Sequence, residues 1–505
     1  MDTYAVRRNI IGVVIIATAL IFLIKLFFIQ AVDESYKLSA NNNVVRQITQ
    51  YPARGLIYDR NGELLVYNQA SYDIMVTPQH LGTFDTTDFC KLLNIDTAYL
   101  NKKLKEAKEY SYYKSSIFLK LVSSETYAKL QEQLYKFPGF FVQPRTVRKY
   151  EFEEGAHLLG YVGEVNDKLV DTNEYYQSGD YVGISGIEKS YEEELRGQKG
   201  MKFYLVDVHN RIKGSYKDGR FDQEAEAGKD LTTTIDMDLQ RYGEKLMKNK
   251  IGSIVAIEPE TGEILALVSS PTYDPSRLVG RQRSKNYQEL QADTLEPLFN
   301  RALMARYPPG STFKVVNALI GKQEDVLFDN TTFECHGGFR AGNFFMGCHN
   351  HPSPQDLVGS IKVSCNAYYA NVFKRILQDD EFESVSEAFT NWKRYLESFG
   401  FGNRLNLDLP NEAPGFLPSV EYYNRYYGEN RWKYLNVISL AIGQGELGIT
   451  PLQMANMTSV LANRGFYYTP HIVKNIEEND SIDTRFREKH QCLVDSANFE
   501  PVIEG

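Results

Sequence analysis

Residues 231–271 read LTTTIDMDLQRYGEKLMKNKIGSIVAIEPETGEILALVSSP, and the chain changes character at this point. LTTTI alternates like a short strand and runs into helical apolar spacing, with Asp236 or Asp238 as candidate N-cap. Two strand-like runs, GSIVAIEP and GEILALVSSP, flank Glu260-Thr261-Gly262, which predicts a hairpin closed by that turn. A long helix-rich stretch follows. Strand, helix, hairpin and helical insert describe an α+β domain over 231–505, an antiparallel sheet flanked by helices.

The 505 residues exceed what one core usually organises and imply about three domains. With 43% hydrophobic and 24% charged residues the composition is that of a folded protein, which excludes collagenous and disordered chains. Lys and Arg number 56 against 65 Asp and Glu, a formal net charge of -9, so the basic footprint needed for nucleic acid is missing.

Upstream, IIGVVIIATALIFLIKLFFI at 10–29 carries one charge, Lys25. Twenty apolar residues in a helix match a bilayer's hydrocarbon core, and Lys25 sits near one end, where its amine can snorkel. Arg7 and Arg8 precede the run, and Asp33 and Glu34 follow it. The positive-inside rule therefore predicts a single-pass membrane protein, with a short cytoplasmic tail at 1–9, an anchor at 10–30 and the bulk outside. The run exceeds a signal peptide's apolar core and no small-x-small site follows directly.

Between 31 and 230 the chain mixes short strands, helices and tight turns. Asp59-Arg60-Asn61-Gly62 is a hairpin signal, and SYDIMVT at 71–77 alternates as a half-buried strand. Residues 86–110 and 124–135 read as surface helices of a subdomain inserted near 78–140, and IEKSYEEEL at 187–195 as a helix stopped by Gly197. No nucleophile, metal cluster or phosphate loop stands out, so this part reads as a spacer or docking domain.

Chemistry gathers further on. Pro308-Pro309-Gly310-Ser311-Thr312-Phe313-Lys314 closes a loop and begins an apolar helix, placing Ser311 and Lys314 three residues apart on one face. A neutral Lys314 there could accept the serine proton, and the helix N-terminus would favour the developing alkoxide. Alone, S-x-x-K is equally a Ser N-cap beside a surface lysine. Ser364-Cys365-Asn366 is the second piece: in a locally extended turn Ser364 and Asn366 face one way and Cys365 the other.

In this order the two motifs are two of the three signatures of the serine acyl-transfer group. With PARGLIYDRNGELL at 52–65, AHLLGYVGEV at 156–165, GISGIEKSYEEELRG at 183–197, LTTTIDMDLQ, PLFNRALMARYPPGSTFK at 297–314 and IGQGELGITPLQMAN at 442–456, the chain resembles the class B penicillin-binding proteins. Within them it is most similar to the elongation-type penicillin-binding protein 2 group. The resemblance implies an elongated pedestal (dimerisation-type) domain at 31–230 and a transpeptidase domain at 231–505. It implies Ser311 as acylated nucleophile, Lys314 as general base, and Ser364 and Asn366 as proton-transfer and substrate-amide partners. Gly443-Gln444-Gly445 and Thr450-Pro451 resemble a segment that builds the sheet behind the cleft. The implied reaction is cross-linking of peptidoglycan stem peptides, trapped by β-lactams. The implied partners are a glycan polymerase of the elongation complex and a periplasmic scaffold.

One departure from that pattern stands out: no Lys-[Ser/Thr]-Gly follows Asn366, although the family carries this third motif on the strand that walls the cleft. The expectation is a C-terminally incomplete transpeptidase. The competing readings are a division-type transpeptidase and a non-catalytic cell-wall scaffold that keeps the fold. A β-lactamase would be smaller and lack the long first domain, and a penicillin-sensing receptor would need several membrane helices and H-E-x-x-H.

Of five cysteines, three cluster with a histidine as C-x12-C-x2-H-x13-C: Cys335, Cys348, His351 and Cys365, with His336 and His349 as spare imidazoles. This spacing fits a closed Cys3His zinc site, which would fix the loop presenting Ser364 and Asn366. A Cys335–Cys348 disulfide with Cys365 as a small apolar residue, or three unrelated thiols, are the alternatives. Cys90 and Cys492 read as plain thiols.

Overall fold

The hairpin forms as Gly252–Ile257 against Ile264–Ser270, antiparallel, with Ser253 opposite Ser269 and Val255 opposite Leu267. In this computed structural model residues 3–27, 45–206, 212–429, 431–477 and 483–505 are described. The preceding helix, Met237–Met247, is capped by Asp236, whose carboxylate accepts from the Leu239 N–H at 3.0 Å, so Asp236 and not Asp238 is the cap. Two features seat this helix on the hairpin. The Gln240 amide accepts from the Leu267 N–H at 2.8 Å and donates to the Leu267 carbonyl at 3.1 Å. Gly243 lets the backbone close in, since a Cβ there would lie 2.9 Å from Val268 Cγ2.

The chain divides into two compact units, one of Met1–Ala53, Tyr72–Arg145 and Gly197–Gly228, the other of Arg54–Ser71, Thr146–Arg196 and Lys229–Gly505. In the second, Leu231–Thr233 pairs in parallel with Ile57–Tyr58 and antiparallel with Val473–Ile476. The Asp59-Arg60-Asn61-Gly62 turn closes Ile57–Tyr58 onto the start of Leu64–Val76, with the Asp59 carboxylate accepting from the Asn61 and Glu63 N–H groups at 2.8 Å each. Among the described residues, the expected antiparallel sheet is a two-stranded antiparallel hairpin and a separate mixed sheet, in which Leu231–Thr233 and Ile57–Tyr58 run parallel. Most of this unit's core is helical, built on Lys314–Gln323, Asn366–Leu377 and Val385–Ser398.

Within that core Asn317 is fully buried yet satisfied: its carbonyl accepts from the Trp392 indole N–H at 2.8 Å and its amide donates to the Ala441 carbonyl at 3.0 Å. Phe313, Phe373 and Phe389 pack round the Trp392 ring. An unpaired amide at this depth would cost about 1–3 kcal/mol.

The first unit holds an antiparallel sheet of Val45–Gln50, Gly200–Val206 and Ile212–Ser215. Helices Thr86–Leu93, Thr97–Tyr110 and Ser124–Gln131 gather around Phe89, Phe118, Phe137 and Phe140. The expected helix at 86–110 is two helices, because Asn94 turns left-handed (φ 51°) and Asp96 caps a new start. Residues 187–195 likewise split, into Gly186–Ser190 and Glu192–Arg196. Thr3–Phe27 is a helix with Ile16, Leu20, Phe22 and Leu26 exposed. No helix among the described residues is long and apolar enough to cross a membrane, and the expected anchor at 10–30 runs past the last described residue of this one.

A buried charge cluster ties sequence-distant segments of the second unit together. The wholly buried Glu188 carboxylate accepts from Arg54 Nε and Arg148 Nε, both at 2.6 Å. Arg54 also donates to Glu192 at 2.5 Å, and Glu192 accepts from the Tyr176 hydroxyl at 2.9 Å and the Gly183 N–H at 2.8 Å. Burial alone would raise the Glu188 pKa, but Arg148 and Arg54 outweigh it and hold the carboxyl below its usual 4.5. Its stabilising contribution is therefore present above about pH 4.5 and lost as pH falls through the folded value. Glu188→Gln leaves two guanidinium groups short of a counter-charge, and chemical denaturation is expected to show a loss of about 3–5 kcal/mol. A change below about 1 kcal/mol would mean that the cluster is screened like a surface pair.

Candidate active site

Ser311 stands in a single 3-10 turn, Gly310–Phe313, which runs without a break into the helix that starts at Lys314. The serine side chain is exposed while Lys314 is buried, so the turn presents the hydroxyl outward and draws the amine in. Left-handed Gly310 (φ 64°) opens the turn, and its N–H donates to the Gly443 carbonyl at 2.8 Å. Tyr307 exchanges two backbone bonds with Ile449, at 3.0 and 2.9 Å, fixing the approach to the serine.

The Lys314 amine has three acceptors: the Ser364 carbonyl at 2.6 Å, Ser364 Oγ at 2.9 Å and Asn366 Oδ1 at 2.7 Å. Three sequence-predicted residues thus meet on one nitrogen, with Ser311 at the head of the same helix. Ser364 is left-handed (φ 52°), not extended as the sequence suggested. Its carbonyl and its hydroxyl both turn to the one amine. Asn366 is a junction: its amide donates to the Gly347 carbonyl at 2.9 Å, and its backbone N–H donates to Cys348 Sγ at 3.2 Å.

Burial strips water from the Lys314 ammonium and lowers its pKa from 10.5 to about 8, against an upward pull from Cys348 and Cys365. The charged form is disfavoured, so the neutral fraction grows as pH rises through about 8. An amine neutral near physiological pH can take a proton from a serine hydroxyl.

Cys335, Cys348, His351 and Cys365 come together, their donor atoms all within 4.8 Å of one another. Cys365 is the N-cap of Asn366–Leu377, its sulfur accepting from the Tyr368 N–H at 3.3 Å. Cys348 receives the Asn366 N–H, and that bond with those from His351 and Cys335 outweighs burial to lower its pKa. Burial dominates at Cys365 and pushes it up to about 12. His351 Nδ1 donates to the Pro352 carbonyl at 2.7 Å, which turns Nε2 toward Cys348 Sγ at 3.5 Å. All five cysteines are free thiols. His336 turns away to Glu334 at 2.9 Å, and Cys90 and Cys492 are simply buried.

Sequence reasoning missed Asn317 and Tyr369, whose ring lies 5.8 Å from the Lys314 amine. The resemblance also put Gly443-Gln444-Gly445 and Thr450-Pro451 in a segment that builds a sheet. The structure instead has a 3-10 helix at Ile438–Ile442, a turn, and the helix Pro451–Ala462. The turn packs on Gly310 so tightly that a Cβ on Gly443 would lie 2.2 Å from the Gly310 carbonyl oxygen. Gly443→Ala, at φ 68°, adds a left-handed strain of about 1–2 kcal/mol to that clash, and thermal unfolding is expected to report the loss. An unchanged melting temperature would show that the two turns separate freely.

Comparison with known proteins places this geometry. Residues 49–233 match the family model described as penicillin-binding protein dimerisation domain, and 252–501 the penicillin binding protein transpeptidase domain. The chain is 31% identical over 463 residues to the peptidoglycan D,D-transpeptidase MrdA of Acinetobacter baumannii, covering 87% of this chain and 65% of that protein. It is 30% identical over 487 residues to that of Haemophilus influenzae, covering 93% and 72%. It is similar to penicillin-binding protein 2 of Helicobacter pylori, solved in complex with MreC, with TM-score 0.72 and 25% identity over 91% of this chain and 83% of that one. It is also similar to Pseudomonas aeruginosa PBP2 in complex with WCK 5153, with TM-score 0.64 and 27% identity over 90% and 79%.

Proposed function

The chain belongs to the class B penicillin-binding proteins of the elongation type, and we propose that it is a serine D,D-transpeptidase that cross-links peptidoglycan stem peptides. The observation that carries this reading is the buried Lys314 amine, held by Ser364 and Asn366 at the head of the helix that follows Ser311. Neutral Lys314 takes the Ser311 proton as the oxygen attacks the penultimate D-Ala carbonyl of a stem pentapeptide. The helix end stabilises the developing negative charge. Ser364 Oγ, 2.9 Å from the amine, relays that proton to the departing D-Ala nitrogen. The acyl group then passes from Ser311 to an amine of a neighbouring stem, and the serine regains a proton through the same Lys314–Ser364 pair. Asn366, with one amide proton left after its bond to Gly347, receives the substrate amide. A β-lactam carbonyl would acylate Ser311 by the same first step.

We place the chain in the cytoplasmic membrane through residues 10–29, with the catalytic unit in the periplasm. Its partners would be a scaffold of the kind seen with the Helicobacter pylori relative and a glycan polymerase. The donor set supports one zinc ion held by Cys335, Cys348, His351 and Cys365: three sulfurs, two of them receiving backbone N–H bonds, and an imidazole with a fixed tautomer. Zinc there would be structural, tying 335–351 to the N-terminus of the helix that begins with Asn366.

Two outcomes test this reading. Acylation by a penicillin is expected to rise about tenfold per pH unit below about 8 and then level off, following neutral Lys314. Lys314→Ala should slow it by about 100-fold or more, and a flat pH profile would remove Lys314 as base. Elemental analysis should find one zinc per chain, lost with a drop in melting temperature in Cys365→Ser. Equal metal content in that variant would contradict the site.

A further inference from the structure

The hairpin of Gly338–Ala341 and Phe344–Gly347 has no part in the proton path, yet it adjoins Asn366. Its two faces differ. One turns Phe339 and Met346 toward the helical core, and the other carries Arg340 and Phe345, both exposed, beside the bare backbone of Gly338 and Gly347. Arg340 stands opposite Phe345 in the register, and its guanidinium carbon lies 4.2 Å from the centre of the ring. The ring reaches back over both glycines: a Cβ on Gly338 would lie 2.7 Å from Phe345 Cε2, and one on Gly347 would lie 3.9 Å from Cε1. An exposed ring with a stacked cation therefore ends next to Gly347, whose carbonyl accepts from the Asn366 amide at 2.9 Å. The base of the hairpin is held as well, since the Cys348 N–H donates to the Gly337 carbonyl at 2.9 Å and Cys348 Sγ accepts from the Asn366 N–H at 3.2 Å.

The arrangement lacks an anion. Among the described residues no carboxylate or carbonyl takes an N–H of Arg340, whereas Arg54 and Arg148 both close on Glu188. A guanidinium stacked by its face keeps its donor edge open, and that edge matches a carboxylate through two parallel bonds. Stacking also restricts the long side chain before a ligand arrives, which lowers the ordering cost of binding.

We propose that Arg340, stacked on Phe345, binds a carboxylate of the substrate peptide on the acyl side of the reacting bond, so that this hairpin selects acidic stem peptides. The inference rests on the transpeptidase reading, in which Asn366 receives the substrate amide, and the hairpin continues that surface past Asn366. Charge decides the occupant: the one strong recognition group on this face is a cation without a counter-charge, and the ring beside it suits the methylenes of a peptide side chain.

The test uses the full chain and two N-acetylated peptides, L-Ala-γ-D-Glu-L-Lys-D-Ala-D-Ala with its free glutamate α-carboxylate and the same peptide with that group as the carboxamide. NMR titration reads both equilibrium affinities without requiring acylation. The acidic peptide is expected to bind about tenfold more tightly, the low end for a hydrogen bond to a charged group, with a preference that shrinks as salt rises. Arg340→Gln should bring the ratio close to one, Phe345→Ala should reduce it, and Arg340→Lys, which keeps the charge but not the fork, should retain part of it. Melting temperatures check that the variants fold. No saturable binding of the acidic peptide, equal affinity for the two peptides, or a preference that survives in Arg340→Gln would overturn the assignment. Penicillin acylation is scored separately: its absence beside an Arg340-dependent preference would remove the transpeptidase reading and leave this site standing, while acylation without any preference would remove the site alone.

Discussion

One buried amine organises this site. Lys314 sits at the start of its helix with its side chain out of water, and its three acceptors lie on Ser364 and Asn366. A lysine left there without acceptors would lose its proton or pull the segment apart. Asn366 Oδ1 meets that need while its amide donates to the Gly347 carbonyl, so the amine and the 347 segment are held by one side chain. The desolvation that requires the acceptors also brings the amine's pKa down to about 8, so the packing that builds the site also favours the neutral amine.

The second constraint is close approach. Gly310 and Gly443 touch backbone to backbone behind the serine turn, and Asn317 links the Lys314 helix to Trp392 and to the carbonyls of the 3-10 helix that ends before Gly443. The exposed serine therefore rests on a fully satisfied polar network instead of a loop. The cysteine cluster lies on the other side of Asn366, joined to it by the bond from its backbone N–H to Cys348.

Much of this is legible in the sequence where a local rule decides the outcome. The hairpin at 252–270 and the Asp59 turn follow from alternation and turn chemistry within a few residues, and capping narrowed the helix start to Asp236 or Asp238, of which Asp236 is the cap. The spacing of Ser311 and Lys314 and the grouping of the cysteines with His351 are local as well. What escaped is decided over distance. Nothing near Glu188 in sequence announces Arg54 and Arg148, and nothing near Gly443 announces Gly310. The extended form expected for Ser364 is replaced by a left-handed one, and the amine its carbonyl and hydroxyl both meet belongs to Lys314, fifty residues earlier. The helix read at 86–110 failed for a local reason, Asn94 and Asp96 ending one helix and starting another.

The most direct measurement is the mass of the intact protein after incubation with a penicillin, followed by peptide mapping of the adduct. A single adduct on the peptide carrying Ser311 is the result this account predicts. An adduct on another peptide, or none while the chain remains folded, would contradict Ser311 as the nucleophile that the Lys314 network serves.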